Sequence, residues 1–92
     1  MMHIRPTSTY RKSYKKFSKS GRFPAKKIDN VINAIANRER LDAFLEDHAL
    51  SGKFIGCREC HIKSDLLLIY RIENNNLVLV LVNMGSHTNL FD

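Results

Sequence analysis

The sequence has no apolar run that approaches the length of a membrane span, and residues 1–20 contain no apolar segment of the kind that a signal peptide requires. We therefore expect a cytoplasmic protein without a membrane partner. Internal repeats, linkers and low-complexity tracts are also lacking. The 92 residues, of which 43% are hydrophobic, suffice for one small domain and are too few for two. We expect a single domain over residues 1–92.

Cysteine is scarce, with Cys57 and Cys60 as the only two. Both should be reduced in a cytoplasmic protein, and residues three apart on a strand point to opposite faces, so no disulfide is expected between them. With His61 they match the Cys-x-x-Cys-His pattern of covalent haem attachment, but that chemistry normally follows export. A structural zinc site needs four ligands, and this segment offers too few even with His48 included. The sequence therefore predicts neither a metal nor a cofactor.

Acidic residues are absent from residues 1–27, which carry nine lysines and arginines, whereas all nine acids share the rest of the chain with six bases. Clustered lysine and arginine supply the sequence-independent part of nucleic-acid affinity. The alternative is that lysine-rich helices are simply soluble. We favour a polyanionic partner, RNA or the ribosome, over that alternative and over an anionic membrane surface, because no large apolar face accompanies the charges.

Two helices are predicted after a short strand over residues 3–5. In residues 8–20 three aromatic side chains recur at i, i+4 and i+7, which predicts an amphipathic helix. Its polar side carries the lysines that we expect to contact RNA or the ribosome, namely Lys12, Lys15, Lys16 and Lys19. A second helix should begin at Pro24, and its apolar stripe is formed by Ile28, Val31, Ile32 and Ile35. A short helical turn is expected around Leu41, Phe44 and Leu45.

Strand patterns occupy the second half of the chain. We predict strands over residues 54–62, 65–72 and 77–83, with a hairpin turn at 73–76. The near-continuous apolar runs of the last two strands indicate central strands that helices cover on at least one face. The predicted fold class is α+β, with a short amino-terminal strand, two helices and a mostly antiparallel sheet of three to four strands. The tail over residues 85–92 ends in Leu90 and Phe91 and should fold back onto the domain.

Histidines and one aspartate in this half of the chain carry the candidate chemistry. They are His48, His61, Asp65 and His87. Cleavage of RNA without metal needs a base for the 2′-hydroxyl proton, an acid for the leaving 5′-oxygen and a cation for the phosphate. Histidine suits the first two roles because its unperturbed pKa is about 6.5. Asp65 could act as the base or orient an imidazole, and the nearby cations are Lys53, Arg58, Lys63 and Arg71.

Each of these residues also has a structural interpretation. A lone histidine in a polar loop is more often a surface residue than a catalytic one, and Asp65 could be a turn residue before its strand. His3, remote from the others in the sequence, we assign to the surface. The catalytic interpretation therefore depends on the residues occurring together.

Four segments, taken together, resemble the RelE/ParE superfamily of toxins of bacterial toxin-antitoxin systems, and within it the YafQ-like branch. They are residues 47–53, 58–65, 68–70 and 85–91, and with the two helices the resemblance covers nearly the whole chain. It implies a RelE-like fold and a ribosome-dependent mRNA endonuclease without a cofactor. It also implies a cognate antitoxin that blocks the toxin, which is expected to be a monomer when free and part of a hetero-oligomer when bound.

The resemblance also implies roles for individual residues. In the family pattern the positions of His48, His61, Asp65 and His87 form the acid-base set, and Phe91 helps to hold the substrate. Asn83 and Leu66 depart from the pattern, which usually has an arginine before the Gly-Ser-His segment and an aromatic residue after the aspartate. Because Asn83 carries no charge, another residue would have to supply the cation for the phosphate. The candidate substrate-binding residues are Lys53, Arg58, Arg71, Asn83 and Phe91.

Two other functions stay open at this point. Loss of the arginine is compatible with a non-catalytic or weakly active module of RelE fold that binds RNA or the ribosome and an antitoxin. Action on DNA gyrase, as in the ParE branch, would not need this set of histidines.

Overall fold

The structure is a computed structural model that describes residues 1–19, 21, 23–39, 47–63 and 65–91. The elements are β1 (His3–Pro6), α1 (Ser8–Ser18), α2 (Ala25–Ala36), β2 (His48–Ala49), a 3-10 turn (Gly52–Phe54), β3 (Arg58–Lys63), β4 (Leu66–Glu73), β5 (Val78–Gly85) and α3 (His87–Phe91). The helical turn predicted around Leu41, Phe44 and Leu45 lies outside the described residues. Within them, no helix has both the length and the apolar character needed to cross a membrane.

The two long helices form where the apolar spacing predicts them. α1 begins after Thr7, whose hydroxyl accepts a hydrogen bond from the backbone N–H of Tyr10 at 3.0 Å and so caps the helix. Tyr10 is buried, and the lysines of α1 are exposed. α2 buries its whole predicted stripe against the sheet, together with Ala36. The buried residues of both helices belong to one core cluster, so both helices pack on the same face of the sheet.

Five strands form one sheet in the order β1-β5-β4-β3-β2. β1 runs parallel to β5, and the other neighbouring pairs are antiparallel. The predicted α+β class with a mostly antiparallel sheet is thus confirmed, but the described sheet has one strand more than the upper limit predicted. The additional strand is β2, which has two residues and is therefore too short for an alternating pattern to reveal.

The strand predicted over residues 54–62 is shorter in the structure, where β3 begins at Arg58. Gly56 has a φ of +88° before β3 begins, a conformation that glycine adopts without steric cost and that interrupts an extended chain. The hairpin turn is where it was expected. Asn74, Asn75 and Asn76 have φ values of +56°, +56° and +67°, and asparagine tolerates this left-handed region better than most residues.

Apolar side chains fill the space on both faces of the sheet. Leu68 and Tyr70 of β4 belong to the core under α1 and α2, which we call the helical face. Leu67 and Ile69 belong to a smaller cluster with Leu90 of α3 on the opposite face, which we call the α3 face. Burial on both sides explains the continuous apolar run of β4. Leu90 is 2% exposed, so the tail folds back onto the domain as predicted.

Candidate active site

Strand alternation brings Glu59 and His61 to the α3 face. On β3, Cys60 and Ile62 are buried in the core of the helical face, and successive side chains on a strand point to opposite sides. Glu59 and His61 therefore point the other way. In the strand register His48 of β2 lies beside Glu59, so a second imidazole joins the same surface.

His87 comes to this surface because α3 turns back directly after β5. The turn is stabilised by Ser86 and Asn89: the N–H of Asn89 donates to the Ser86 hydroxyl at 3.1 Å, and that hydroxyl donates to Oδ1 of Asn89 at 2.7 Å. A Cβ on Gly85 would lie 3.2 Å from the Cβ of Asn89, which leaves little room for a side chain at that position. His87 is the first residue of α3 and stands above the sheet.

Three imidazoles converge on one buried carboxylate, that of Glu59. Its Oε1 lies 3.1 Å from Nε2 of His61 and 3.9 Å from Nε2 of His87, and its Oε2 lies 3.9 Å from Nε2 of His48. The Glu59 side chain is 4% exposed, whereas those of His61, His48 and His87 are 19%, 52% and 57% exposed. The carboxylate thus lies at the floor of the site, and the imidazoles lie between it and solvent.

Asp65 lies at the rim beside His87. Its Oδ1 accepts a long hydrogen bond of 3.4 Å from the backbone N–H of His87 and lies 3.9 Å from Nδ1 of the same residue. Asp65 is exposed. All four predicted acid-base residues are therefore assembled in one place. Three of them contact Glu59, and Asp65 contacts His87.

Aromatic side chains extend the row of imidazoles. The ring centroids of His48 and His61 are 6.5 Å apart, those of His61 and His87 are 5.7 Å apart, and those of His87 and Phe91 are 5.9 Å apart. Phe54 follows at 5.5 Å from Phe91 in an edge-to-face arrangement. Such a row offers the flat surfaces on which bases of single-stranded RNA stack.

Lys53 adds a positive charge at the Phe54 end of this row. Its Nζ lies 5.2 Å from the centroid of the Phe54 ring, within the range of a cation–π contact. Of the cations predicted to bind substrate, Lys53 is thus linked to the site through Phe54 and Phe91.

Arg58 lies elsewhere. It precedes Glu59 on β3 and therefore points to the helical face. Its Nε donates a 2.6 Å hydrogen bond to Oδ1 of Asp47, and the hydroxyl of Tyr70 donates to Oδ2 of the same carboxylate. The bond to Asp47 raises the pKa of Arg58, and burial, followed by Asp47, raises the pKa of Tyr70. These contacts hold the chain just before β2. They engage Arg58 on the helical face, whereas the histidines lie on the α3 face.

The other two predicted substrate contacts are also engaged with protein groups. Arg71 pairs with Glu73 of the same strand, and this partner raises the pKa of its guanidinium. Asn83 accepts hydrogen bonds through Oδ1 from the Ser13 hydroxyl at 2.7 Å and from the N–H of Met84 at 2.8 Å. The structure thus pairs Arg71 within β4 and joins Asn83 to α1.

Glu59 is the site residue that the sequence analysis did not single out. A signal was available, because Glu59 and His61 are two residues apart on a predicted strand and must share a face. Its burial gave no signal, since glutamate is rarely buried unless it is paired.

Glu59, His61 and His87 could together hold a metal ion, because one ligand atom from each lies within 4.8 Å of the others. Two imidazole nitrogens and a carboxylate oxygen are a donor set that zinc and copper accept. The cysteines of the Cys-x-x-Cys-His segment are not part of it. Both are buried free thiols in different clusters, and burial raises the pKa of Cys60 to about 12, which makes a thiolate ligand unfavourable there.

Sequence and structure comparisons give a consistent set of similar proteins. A family model described as the bacterial toxin YafQ of type II toxin-antitoxin systems matches residues 2–92. A Haemophilus influenzae protein named as a YafQ toxin is 38% identical over 68 residues, which cover 70% of this chain and 67% of that protein.

Solved structures share the fold as well as the sequence. A copper-bound mutant toxin from Helicobacter pylori is 35% identical, with a TM-score of 0.91 over 99% of this chain and 100% of that one. YafQ of Escherichia coli, in complex with DinJ, is 26% identical, with a TM-score of 0.86 over 100% of both chains.

Proposed function

The chain belongs to the YafQ family of toxins of type II toxin-antitoxin systems, and from this premise we propose that it is a ribosome-dependent mRNA endonuclease that works by general acid-base catalysis. The observation that carries the proposal is the convergence of His48, His61 and His87 at one exposed surface, with Asp65 beside them. Imidazoles can both accept and donate protons near neutral pH, as cleavage of a phosphodiester requires.

In the proposed reaction a base removes the proton of the ribose 2′-hydroxyl, and the 2′-oxygen attacks the phosphorus atom. The bond to the 5′-oxygen breaks, and an acid supplies a proton to this leaving oxygen. We assign proton transfer to His87 and Asp65, which lie at the rim where RNA can reach them, and an assisting or orienting role to His48 and His61.

Substrate binding in this proposal uses the aromatic row and the charge next to it. Phe91 and Phe54 offer faces for bases beside the cut. Lys53 is the cation that we favour for the phosphate, because Arg58 and Arg71 are paired with Asp47 and Glu73. Lys53 would thus supply the positive charge that an arginine at the position of Asn83 usually supplies in the family pattern.

We further propose a single toxin domain over residues 1–92 that acts in the cytoplasm. Its partners are the ribosome, mRNA and a cognate antitoxin; the related Escherichia coli YafQ has been solved with DinJ as a toxin-antitoxin complex. Free toxin is proposed to be monomeric, and bound toxin to be part of a hetero-oligomer.

Primer extension on a reporter mRNA in a reconstituted translation reaction tests the catalytic proposal. Wild type should give discrete cuts that require ribosomes, and His87→Ala should lower the cleavage rate by about 100-fold or more because a proton-transfer group is lost. His3→Ala is the matched control, since His3 is exposed on β1, and it should cut like wild type. Equal cleavage by His87→Ala and wild type would exclude the assigned role of His87.

The alternative, a binding module without efficient chemistry, is favoured by one observation, the uncharged Asn83 where the branch usually has an arginine. It predicts ribosome binding that weakens steeply with salt, and no cut products. The same primer extension, combined with ribosome co-sedimentation, separates the two: binding without cuts supports the module.

We also propose that the site can take a transition-metal ion on Glu59, His61 and His87, a donor set that fits one. A similar toxin from Helicobacter pylori has been solved in a copper-bound form. A bound ion would occupy nitrogens of His61 and His87 and so stop them from exchanging protons. The metal would therefore inhibit the proposed reaction.

A further inference from the structure

Glu59 is a buried carboxylate at the centre of the site and touches solvent with only 3% of its surface. It lies on β3 between Ile69 of β4 and His48 of β2. The contacts described for it join its carboxylate to imidazoles from three elements, β2, β3 and α3. No single local motif would create this arrangement, because the three histidines are far apart in the sequence.

A buried ionised carboxylate is costly unless hydrogen bonds or opposite charges compensate it. An ionised carboxylate only accepts hydrogen bonds. Nε2 of His61 lies 3.1 Å from Oε1 of Glu59, and the Nε2–H tautomer is the neutral form of His61 that can donate a hydrogen bond to an ionised carboxylate there. In this tautomer the lone pair is on Nδ1. A carboxylate behind an imidazole commonly selects the tautomer and orientation of the ring in this way.

The distances also show which rings the carboxylate faces. Glu59 lies 3.1 to 3.9 Å from Nε2 of each imidazole. A single ionised carboxylate is thus next to all three rings.

We propose that Glu59 is the positioning residue of the active site: its carboxylate holds the three imidazoles by Nε2, sets the Nε2–H tautomer of His61 and places one negative charge beside all three rings. This inference rests on the proposed function. Glu59 acts through the histidines and does not touch RNA. The groups that face it are His48 from β2, His61 from β3 and His87 from α3, with Asp65 behind His87.

Histidine NMR of the unmodified protein provides the first test. Long-range 1H–15N spectra of 15N-labelled wild type, recorded at high pH where the imidazoles are neutral, should give the Nε2–H pattern for His61. An Nδ1–H pattern would overturn the proposal. This measurement does not depend on cleavage, so it remains decisive even if the toxin fails to cut mRNA and the proposed function is wrong.

Two substitutions at Glu59 test the charge. Glu59→Gln keeps the shape but not the charge, and it should lower single-turnover cleavage on programmed ribosomes by about 100-fold with ribosome binding unchanged. Glu59→Asp keeps the charge on a side chain that is one methylene shorter. It should cleave at least about tenfold faster than Glu59→Gln. Glu39→Gln, an exposed carboxylate after α2, is the matched control and should cleave like wild type.

Wild-type cleavage by Glu59→Gln would overturn the proposal. So would a folded Glu59→Asp that cleaves no better than Glu59→Gln, since the charge would then be irrelevant. Circular dichroism shows whether each variant folds. If Glu59→Gln does not fold, two measurements decide whether the proposal holds. They are the His61 tautomer in wild type and the cleavage rate of Glu59→Asp.

Discussion

At the scale of the residue, Glu59, His61 and His87 have two competing uses. Their ligand atoms lie within 4.8 Å of one another, so they can share a metal ion, and one of them, His87, is also proposed to transfer a proton in the cleavage reaction. An imidazole nitrogen that binds a metal cannot bind a proton at the same time. Metal binding and RNA cleavage should therefore exclude each other at this site.

We predict that Zn²⁺ binds wild type and inhibits mRNA cleavage, and that a chelator restores the activity. Isothermal titration calorimetry should show one ion per chain, and His87→Ala should weaken its binding by at least about tenfold because one ligand is lost. His3→Ala should bind the ion like wild type. Unchanged affinity in His87→Ala would place the ion elsewhere and contradict the prediction.

At the scale of the element, β2 is only two residues long, and both are exposed. His48 lies beside Glu59 through the pairing of β2 with β3, and its ring lies next to that of His61. The chain just before β2 is also held on the helical face, where Asp47 accepts hydrogen bonds from Arg58 and Tyr70. One imidazole of the site thus depends on contacts made on the other side of the sheet.

Asp47→Asn should therefore reduce both stability and activity. Loss of this partly exposed ion pair should lower the free energy of unfolding by about 1 kcal/mol, measured by urea denaturation. Single-turnover cleavage should fall about tenfold, because His48 is displaced. Asp29→Asn, on the exposed side of α2, is the control and should change neither. Full activity of Asp47→Asn would mean that the pairing of β2 with β3 alone holds His48.

The environment of Tyr70 makes the free energy of unfolding depend on pH. Burial, followed by Asp47, raises the pKa of Tyr70 above its usual value near 10. The folded state therefore holds this proton more tightly than the unfolded state. The contribution to stability is complete below pH about 10 and is lost as the pH rises above it.

At the scale of the whole molecule, the sheet separates the basic helix from the histidines. α1 packs on the helical face through Tyr10, whereas Glu59, the imidazoles and α3 lie on the α3 face. The exposed lysines of α1 and of its C-cap position are Lys12, Lys15, Lys16 and Lys19. In a molecule with principal extents of 36 × 29 × 27 Å, the proposed binding to ribosomal RNA and the proposed cutting of mRNA would use different sides.

Replacing these four lysines with alanine should weaken ribosome binding and reduce its salt dependence. If each lysine neutralises one phosphate, the slope of log affinity against log salt concentration should fall by about 3. Co-sedimentation over a series of salt concentrations measures it. His87→Ala, which changes the other face, should keep the wild-type slope while losing cleavage. An unchanged slope in the lysine variant would show that α1 does not contact the ribosome.

Much of the local structure was predictable because it depends on neighbours in the chain. Helical spacing predicted α1 and α2, apolar runs predicted β4 and β5, and three consecutive asparagines predicted the turn between those strands. The histidines and Asp65 were also recognised as a group, and they do lie together. Their catalytic role stays a prediction.

The sequence by itself determined the helices, the central strands, the basic charge of the amino-terminal third and the residue types available for chemistry, because each follows from local spacing and composition. Only the tertiary structure decided the parallel pairing of β1 with β5, the burial of Glu59 among three imidazoles, and the engagement of Arg58 with Asp47 on the other face. These features depend on strand register and on contacts between distant segments. Such contacts form only when the whole core packs, so no local pattern encodes them.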